Sequence, residues 1–229
     1  MNIDNWHYYY KIDPIDKTKC STNMLYTPYV NDDNTILCMA WDHTDPYQEG
    51  TTRPLYTKEL VDFFFNRELE YLEKVKDYNW APEVLEIDRK NNRIFFKWYK
   101  QTCNTIIYTG NNLVSICPDW EQQLSDLIID LLNAGIYKMS LYPHCMYVDE
   151  FGKLHTFDFY ACVDKDSAYI EKNLIEGIIG SQSVGRFAET QTGNLIDFKK
   201  FFKNTFRYIE WPNDFLRRFY DNNEQRFLE

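Results

Sequence analysis

Glycine is scarce in this sequence, eight in 229 residues, and the first of them is Gly50. A loop that closes over phosphate groups in the G-x-G-x-x-G manner needs backbone with no Cβ in the way. No such loop can lie ahead of Gly50. Lysine is missing from a long interval too: none occurs between Lys19 and Lys58, and Arg53 is the only arginine there. Nor is there an excess of positive charge, since 25 Lys and Arg stand against 35 Asp and Glu, for a formal charge of -10. Binding along a nucleic-acid backbone rests on such an excess, so no DNA or RNA partner is expected, although a local basic patch stays open. The six cysteines form no C-x-x-C pair and have no His at ligand spacing, which fits reduced thiols of a cytoplasmic protein. No apolar run approaches the roughly eighteen residues of a membrane span. The start, MNIDNWHYYYKID, has no basic region followed by an apolar run. A soluble cytoplasmic protein with no membrane partner is expected.

What is present argues for a folded core. Hydrophobic residues make up 44% and aromatic residues 17%, with 18 Tyr and 16 Phe, too many apolar groups for a disordered chain. Trp6 to Ile12, Met24 to Tyr29 and Asn34 to Trp41 are rich in Tyr, Trp and β-branched residues and predict strands. Thr57 is placed to cap a helix from Lys58 to about Lys76. Along it Val61, Phe64, Phe65, Leu72 and Val75 recur at helical spacing, and the one acid on that stripe is Glu68. Either Glu68 pairs with a cation, or it sits at the edge of the buried face with its carboxylate reaching water. Val84 to Ile87 and Ile94 to Trp98 flank Asn91-Asn92 as a hairpin. Thr105 to Cys117 reads as irregular or a short hairpin. Asp119, with Gln122 three residues on, predicts the start of a helix from Trp120 to Ala134, whose Leu124, Leu127, Ile128, Leu131 and Leu132 form a core stripe.

The stretch Asn133 to Val163 combines the most signals. Gly135 ends the helix, because glycine takes the left-handed cap conformation cheaply, and a short connection runs from Tyr137 to Pro143. A strand follows over Cys145 to Val148, then the turn Asp149-Glu150-Phe151-Gly152, then a strand from Leu154 to Phe157 that delivers Asp158 at its end. Beyond Val163 helices are predicted over Lys165 to Ile179, Asn194 to Ile209 and Asp214 to Tyr220. Leu195, Phe198, Phe202, Phe206 and Ile209 share one face of them.

At Lys138 to Phe159 the sequence resembles the catalytic segment of the protein-kinase and aminoglycoside-phosphotransferase superfamily, which runs H-x-D-L-x-P-x-N and later D-F-G or D-W. Leu141, Pro143, Gly152 and Asp158-Phe159 agree with it. Lys138 falls where the family has His, Ser140 where it has the catalytic Asp, Cys145 where it has the metal-binding Asn, and Tyr160 replaces Gly. The order of helix, hairpin and exit segment Lys97 to Lys100 also resembles the family's small lobe, and N-R-E-L-E-Y-L resembles its helix Glu. The resemblance implies an α+β, bilobal fold: a small antiparallel-sheet lobe with one helix over residues 1–98, and a mainly helical larger lobe over 99–229 with the hairpin that carries Asp158. It further implies ATP and Mg²⁺ as cofactors, Glu68 and Asp158 as cofactor-binding residues, Asp158 as metal ligand, and Lys138 and Ser140 as altered catalytic positions. The strand 34–41 has no lysine, which leaves Lys11, Lys17 or Lys19 as substitutes for the phosphate-binding cation.

The chemistry at these positions is reduced. Cys145 is a soft ligand that does not favour Mg²⁺, and Ser140 needs a partner to act as a base at neutral pH. His144 is near in sequence, but adjacent hairpin residues point to opposite faces. The 71 residues after Asp158 (159–229) contain no A-P-E segment. Two readings follow: a kinase-like binding or regulatory module that has lost phosphotransfer and holds an unknown protein partner, or an atypical small-molecule or protein kinase that uses Asp158 for Mg²⁺ and a relocated Lys. A hairpin with a Gly turn and a terminal carboxylate is common, so an unrelated α+β domain also stays open. Trp41, Trp98 and Trp211 are candidates for an exposed partner surface.

Overall fold

In the computed structural model, the structure describes residues 1–8, 26–41, 57–99, 103, 113–138, 140–166, 169–171, 191–192, 195–197, 203 and 209–228. Five antiparallel strands open the chain: β1 (His7–Tyr8), β2 (Thr27–Val30), β3 (Ile36–Ala40) and, after helix α1 (Lys58–Val75), β4 (Val84–Asp88) and β5 (Arg93–Lys97). They lie in the order β1-β2-β3-β5-β4. Short polar side chains make the turns. Asn31 Oδ1 accepts from the N–H groups of Thr35 and Ile36, at 2.8 and 2.9 Å, which turns β2 into β3. Asp88 Oδ1 does the same for Lys90 and Asn91 between β4 and β5. Alternation along β3 then sets the two faces of the sheet: Leu37, Met39 and Trp41 enter the main core, whereas Cys38 and Ala40 pack with Phe95 and Ile3 on the opposite face.

Helix α1 starts where the sequence places it, with the Thr57 hydroxyl accepting from Leu60 N–H at 3.3 Å. It buries Val61, Phe64, Phe65, Leu69, Leu72 and Val75, and removal of such side chains from water, about 1.5–3 kcal/mol each, holds the helix down. Next come α2 (Leu113–Ile116), α3 (Trp120–Asn133), β6 (Ile136–Lys138), a 3₁₀ turn at Pro143–Cys145, β7 (Met146–Val148), β8 (Leu154–Thr156), a 3₁₀ turn at Phe159–Ala161 and β9 (Cys162–Asp164). β6 pairs with β9 and β7 with β8, both antiparallel. Gly135, at φ 72°, and Gly152, at φ 78°, take the left-handed conformations that end α3 and turn β7 into β8. A Cβ on Gly152 would also stand 3.0 Å from the Ile116 carbonyl oxygen. The described chain ends in β10 (Tyr169–Glu171), β11 (Gln191–Thr192) and β12 (Leu195–Asp197), paired in the order β10-β12-β11, then a 3₁₀ turn at Pro212–Asp214 and α4 (Phe215–Leu228). One core cluster runs from β2 and α1 through α3 to α4. No helix among the described residues is long and apolar enough to cross a membrane.

Several expectations are corrected. Ile136–Lys138, within and ahead of the stretch read as a connection, forms a strand, because its partner Cys162–Asp164 lies beyond local sequence view. Leu113–Ile116 is a helical turn rather than hairpin or coil. Asp119 makes no capping bond and instead accepts from Gln123 Nε2 at 2.8 Å. Strands at Tyr169–Glu171 and Leu195–Asp197 fall within two predicted helices. Most of the rest of those two helices, with Phe198, Phe202 and Phe206, lies outside the described residues, as do Lys11, Lys17 and Lys19. Trp41, Trp98 and Trp211 are buried, whereas Phe151, at the β7–β8 turn, is 84% exposed.

Candidate functional site

The β7–β8 hairpin, strand β6 and the face of α1 bring four chosen residues together in the interior. Asp158 follows β8 in a left-handed backbone conformation, φ 67° and ψ 55°, one that Asp tolerates better than most residues. This places its carbonyl and its carboxylate on different partners. The carbonyl oxygen accepts from Lys138 Nζ at 2.8 Å and from Ser140 Oγ at 2.7 Å. The carboxylate accepts from the Tyr26 hydroxyl at Oδ1 and from the Cys145 thiol, 2.9 Å away, at Oδ2.

Lys138 is almost fully buried. Its ammonium donates to Ser140 Oγ at 2.6 Å, to the Phe157 carbonyl at 2.6 Å and to the Asp158 carbonyl. An ammonium has three N–H donors, and each has a partner here. It also lies 4.8 Å from the centre of the Phe159 ring, a cation–π distance. Ser140, whose oxygen donates to one group while accepting from another, is a bridge in this network. With a charged donor against it and its proton directed at a carbonyl, its hydroxyl meets no base among the described residues.

Glu68 projects from α1 onto the turn Phe159–Ala161, where Oε2 accepts from the Tyr160 N–H at 2.5 Å. Oε1 is buried with no hydrogen-bond partner among the described residues. Burial first, and then the charge of Asp158, push the Glu68 carboxyl up to about 7, while Lys138 pulls the other way. These shifts show that the two acids lie in one electrostatic neighbourhood. The helix Glu therefore meets a backbone N–H where the resemblance implied a lysine. Two neighbours on α1 reinforce the seam: Arg67 donates to the Cys162 carbonyl, and Lys74 Nζ reaches Asp164 Oδ1 at 2.9 Å.

Aromatic rings fill the space around these groups. Tyr26 packs at 5.1 Å from Trp41 and 6.1 Å from Tyr160, and Tyr160 packs at 5.9 Å from Phe64. The buried inner face of β3, Leu37, Met39 and Trp41, brings no charge to them. Mg²⁺ fits the Asp158 carboxylate poorly: a hard cation needs available oxygen lone pairs, and here each carboxylate oxygen of Asp158 already accepts from a phenol or a thiol inside the chain. Among the described residues no group of three or more His, Cys, Asp or Glu is placed to hold a metal ion. An open groove of about 440 Å³ exists elsewhere, between Trp80, Asp126, Asp130 and Lys153, and none of the four chosen residues lines it.

Sequence reasoning missed Tyr26, which stands 132 positions from Asp158 and belongs to no motif. It named Cys145 but as a poor metal ligand, not as a donor to Asp158. His144 lies beside Tyr142, with rings stacked at 5.1 Å.

No protein-family model matches the sequence, and no curated protein matches it. Solved structures do match. A structure of the bifunctional kinase-methyltransferase WbdD aligns over 95% of this chain and 46% of its own, with a TM-score of 0.51 and 14% identity. A higher-resolution structure of WbdD gives 0.49 and 12%, over 90% of this chain and 45% of that one. A complex of WbdD with the kinase inhibitor LY294002 gives 0.48 and 13%, over 89% and 44%. The chain thus spans a little under half the length of these proteins. At such identity the likeness concerns the fold alone: this chain is an α+β protein with a kinase-like fold.

Proposed function

We propose that the chain is a bilobal kinase-like module that does not transfer phosphate and acts by binding or regulating a protein partner. The observation that carries this reading is the uncharged inner face of β3, buried Leu37, Met39 and Trp41, together with Glu68 bonded to the Tyr160 backbone N–H. Phosphoryl transfer works almost entirely by placing charges around phosphates and an attacking hydroxyl. Among the described residues the one buried ammonium, Lys138, is held by an internal hydroxyl and two carbonyls. Exposed apolar side chains at Phe151 and along β4, at Val84, Leu85 and Ile87, support a role in contacting a partner.

A thermal-shift series with ATP and Mg²⁺ on the wild type and on Asp158→Ala tests the reading. A ligand that binds the folded state must raise its stability. The expected result is no rise in Tm for either protein. A rise in the wild type that Asp158→Ala abolishes would favour the other reading, an atypical kinase that uses Asp158 for Mg²⁺.

A further inference from the structure

Two exposed apolar parts of the molecule meet at one histidine. The first part is the β7–β8 turn with Phe151, and the second is β4 with Val84, Leu85 and Ile87. The ring of His155, on β8, reaches both the turn and the segment that enters β4: Nε2 is 3.2 Å from Asp149 Oδ2, and Nδ1 is 3.2 Å from the Ala81 carbonyl oxygen. Both partners are acceptors. Asp149 Oδ1 accepts from the N–H groups of Phe151 and Lys153, at 2.9 and 2.8 Å. Burial works against its charge, but the Lys153 N–H, His155 and the Phe151 N–H hold the Asp149 carboxyl below its usual range. A carbonyl and an ionised carboxylate have no proton to give, so two hydrogen bonds at once demand a proton on each ring nitrogen, the imidazolium form.

The surroundings suit that charge. The rings of Tyr147 and Tyr99 lie nearly parallel to the imidazole, with centroids at 5.1 and 6.1 Å, and such faces attract a cation. Burial first, then Tyr99 and Asp149, push the Tyr147 phenol above its usual range, which keeps it neutral. Lys97, 5.1 Å from the centre of the Tyr99 ring, is offset by Glu83 at 3.6 Å and by Glu150.

We propose that His155 is a proton-dependent tie between the Phe151 turn and the segment entering β4: it joins the two apolar parts of the partner surface when the imidazole carries both protons, and releases them from each other when it carries one. A neutral imidazole has a single N–H. The carboxylate keeps that N–H, because an ionised acceptor holds a donor more strongly than a carbonyl does, and the Ala81 bond is given up. A second bond from β8 to this segment, Thr156 N–H to the Trp80 carbonyl, is longer, at 3.4 Å. The proposal rests on the reading of these parts as a partner surface and adds how that surface is regulated.

Ala81-Pro82 is the only Ala-Pro bond in the sequence, so the full chain labelled with carbonyl-¹³C alanine and ¹⁵N proline gives a single correlated signal, that of the Ala81 carbonyl. Labelling with ¹⁵N histidine reports the proton on each nitrogen of His155. Both are followed by NMR from about pH 5 to about pH 9. The background is Glu68→Gln, since the Glu68 carboxyl lies at about 7, and the same chain with His155→Gln is the comparison. The expected result is that His155 Nδ1 loses its proton while Nε2 keeps one, that the Ala81 carbonyl signal moves upfield with the same midpoint, and that His155→Gln abolishes the movement. A His155 that keeps one charge state throughout, an Ala81 signal that ignores the change, or a movement that survives His155→Gln each overturns the tie. If His155→Gln does not fold, Asp149→Asn decides: the His155 midpoint moves to lower pH and the Ala81 midpoint must move with it, and an Ala81 midpoint that stays behind overturns the tie. Its failure leaves the absence of phosphotransfer standing, because the ATP thermal-shift series decides that separately.

Discussion

The end of the β7–β8 hairpin and the inner face of α1 each bury an acid, and they treat it differently. Asp158 has a donor on each carboxylate oxygen. Glu68 accepts from the Tyr160 N–H at one oxygen, and its other oxygen is buried with no hydrogen-bond partner among the described residues. A low-dielectric interior penalises the charged form of whichever group is less well supplied with donors. That difference accords with the direction in which Glu68 moves: its carboxyl is raised to about 7, by burial first and then by the neighbouring Asp158. Between the two acids stands Lys138, which holds the hairpin end through its carbonyls and never contacts either carboxylate by a hydrogen bond among those described.

The largest effect should come from removing what joins the two regions. Lys138→Met leaves the Phe157 and Asp158 carbonyls without their buried donor and takes away the positive charge beside both acids. A loss of about 4 kcal/mol is expected in urea unfolding, and a loss below about 1 kcal/mol would mean that water or another group replaces the ammonium without cost.

Next in size is the response to pH. Because the Glu68 carboxyl is raised in the folded chain, the folded state binds a proton that the unfolded state has released between about pH 4.5 and 7. Stability from this group is therefore full below pH 4.5 and lost as pH rises through about 7, a change of about 3 kcal/mol. Glu68→Gln keeps a neutral acceptor for Tyr160 N–H and should flatten that slope, gaining on the wild type at pH 8. An unchanged slope in urea titrations at pH 5 and pH 8 would show that Glu68 does not hold the proton.

Two smaller changes sharpen the comparison by acting on α1 away from its buried acid. Thr57→Ala removes the hydroxyl that caps the helix and should cost about 1 kcal/mol, with the pH slope intact. Lys74→Ala breaks the ion pairs to Glu70 and Asp164, which are partly exposed, and should cost about 0.5 kcal/mol in low salt and less in high salt.

The sequence shows local features of this fold more readily than distant ones. Helix α1 was legible because Thr57, the apolar stripe and Glu68 all lie within one stretch. The hairpin that presents Asp158 was legible because Gly152 and two short apolar runs bound it. Strand β6 was not, since three residues show no periodicity and their pairing with β9 is a long-range event. Tyr169–Glu171 and Leu195–Asp197 carry apolar spacing that suits a helix, and pairing with each other overrides it. At the site, Lys138, Ser140, Glu68 and Asp158 were chosen from a motif that fixes positions along the chain. Tyr26 lies outside any such spacing, so only the folded chain reveals it against Asp158.

The most direct test of the proposal that this chain does not transfer phosphate is transfer of radiolabelled γ-phosphate from ATP, in Mg²⁺ and in Mn²⁺, to water, to the chain itself and to generic acceptors. The wild type is predicted to release or transfer no more label than Asp158→Ala. Turnover above that background that disappears with Asp158→Ala would contradict it.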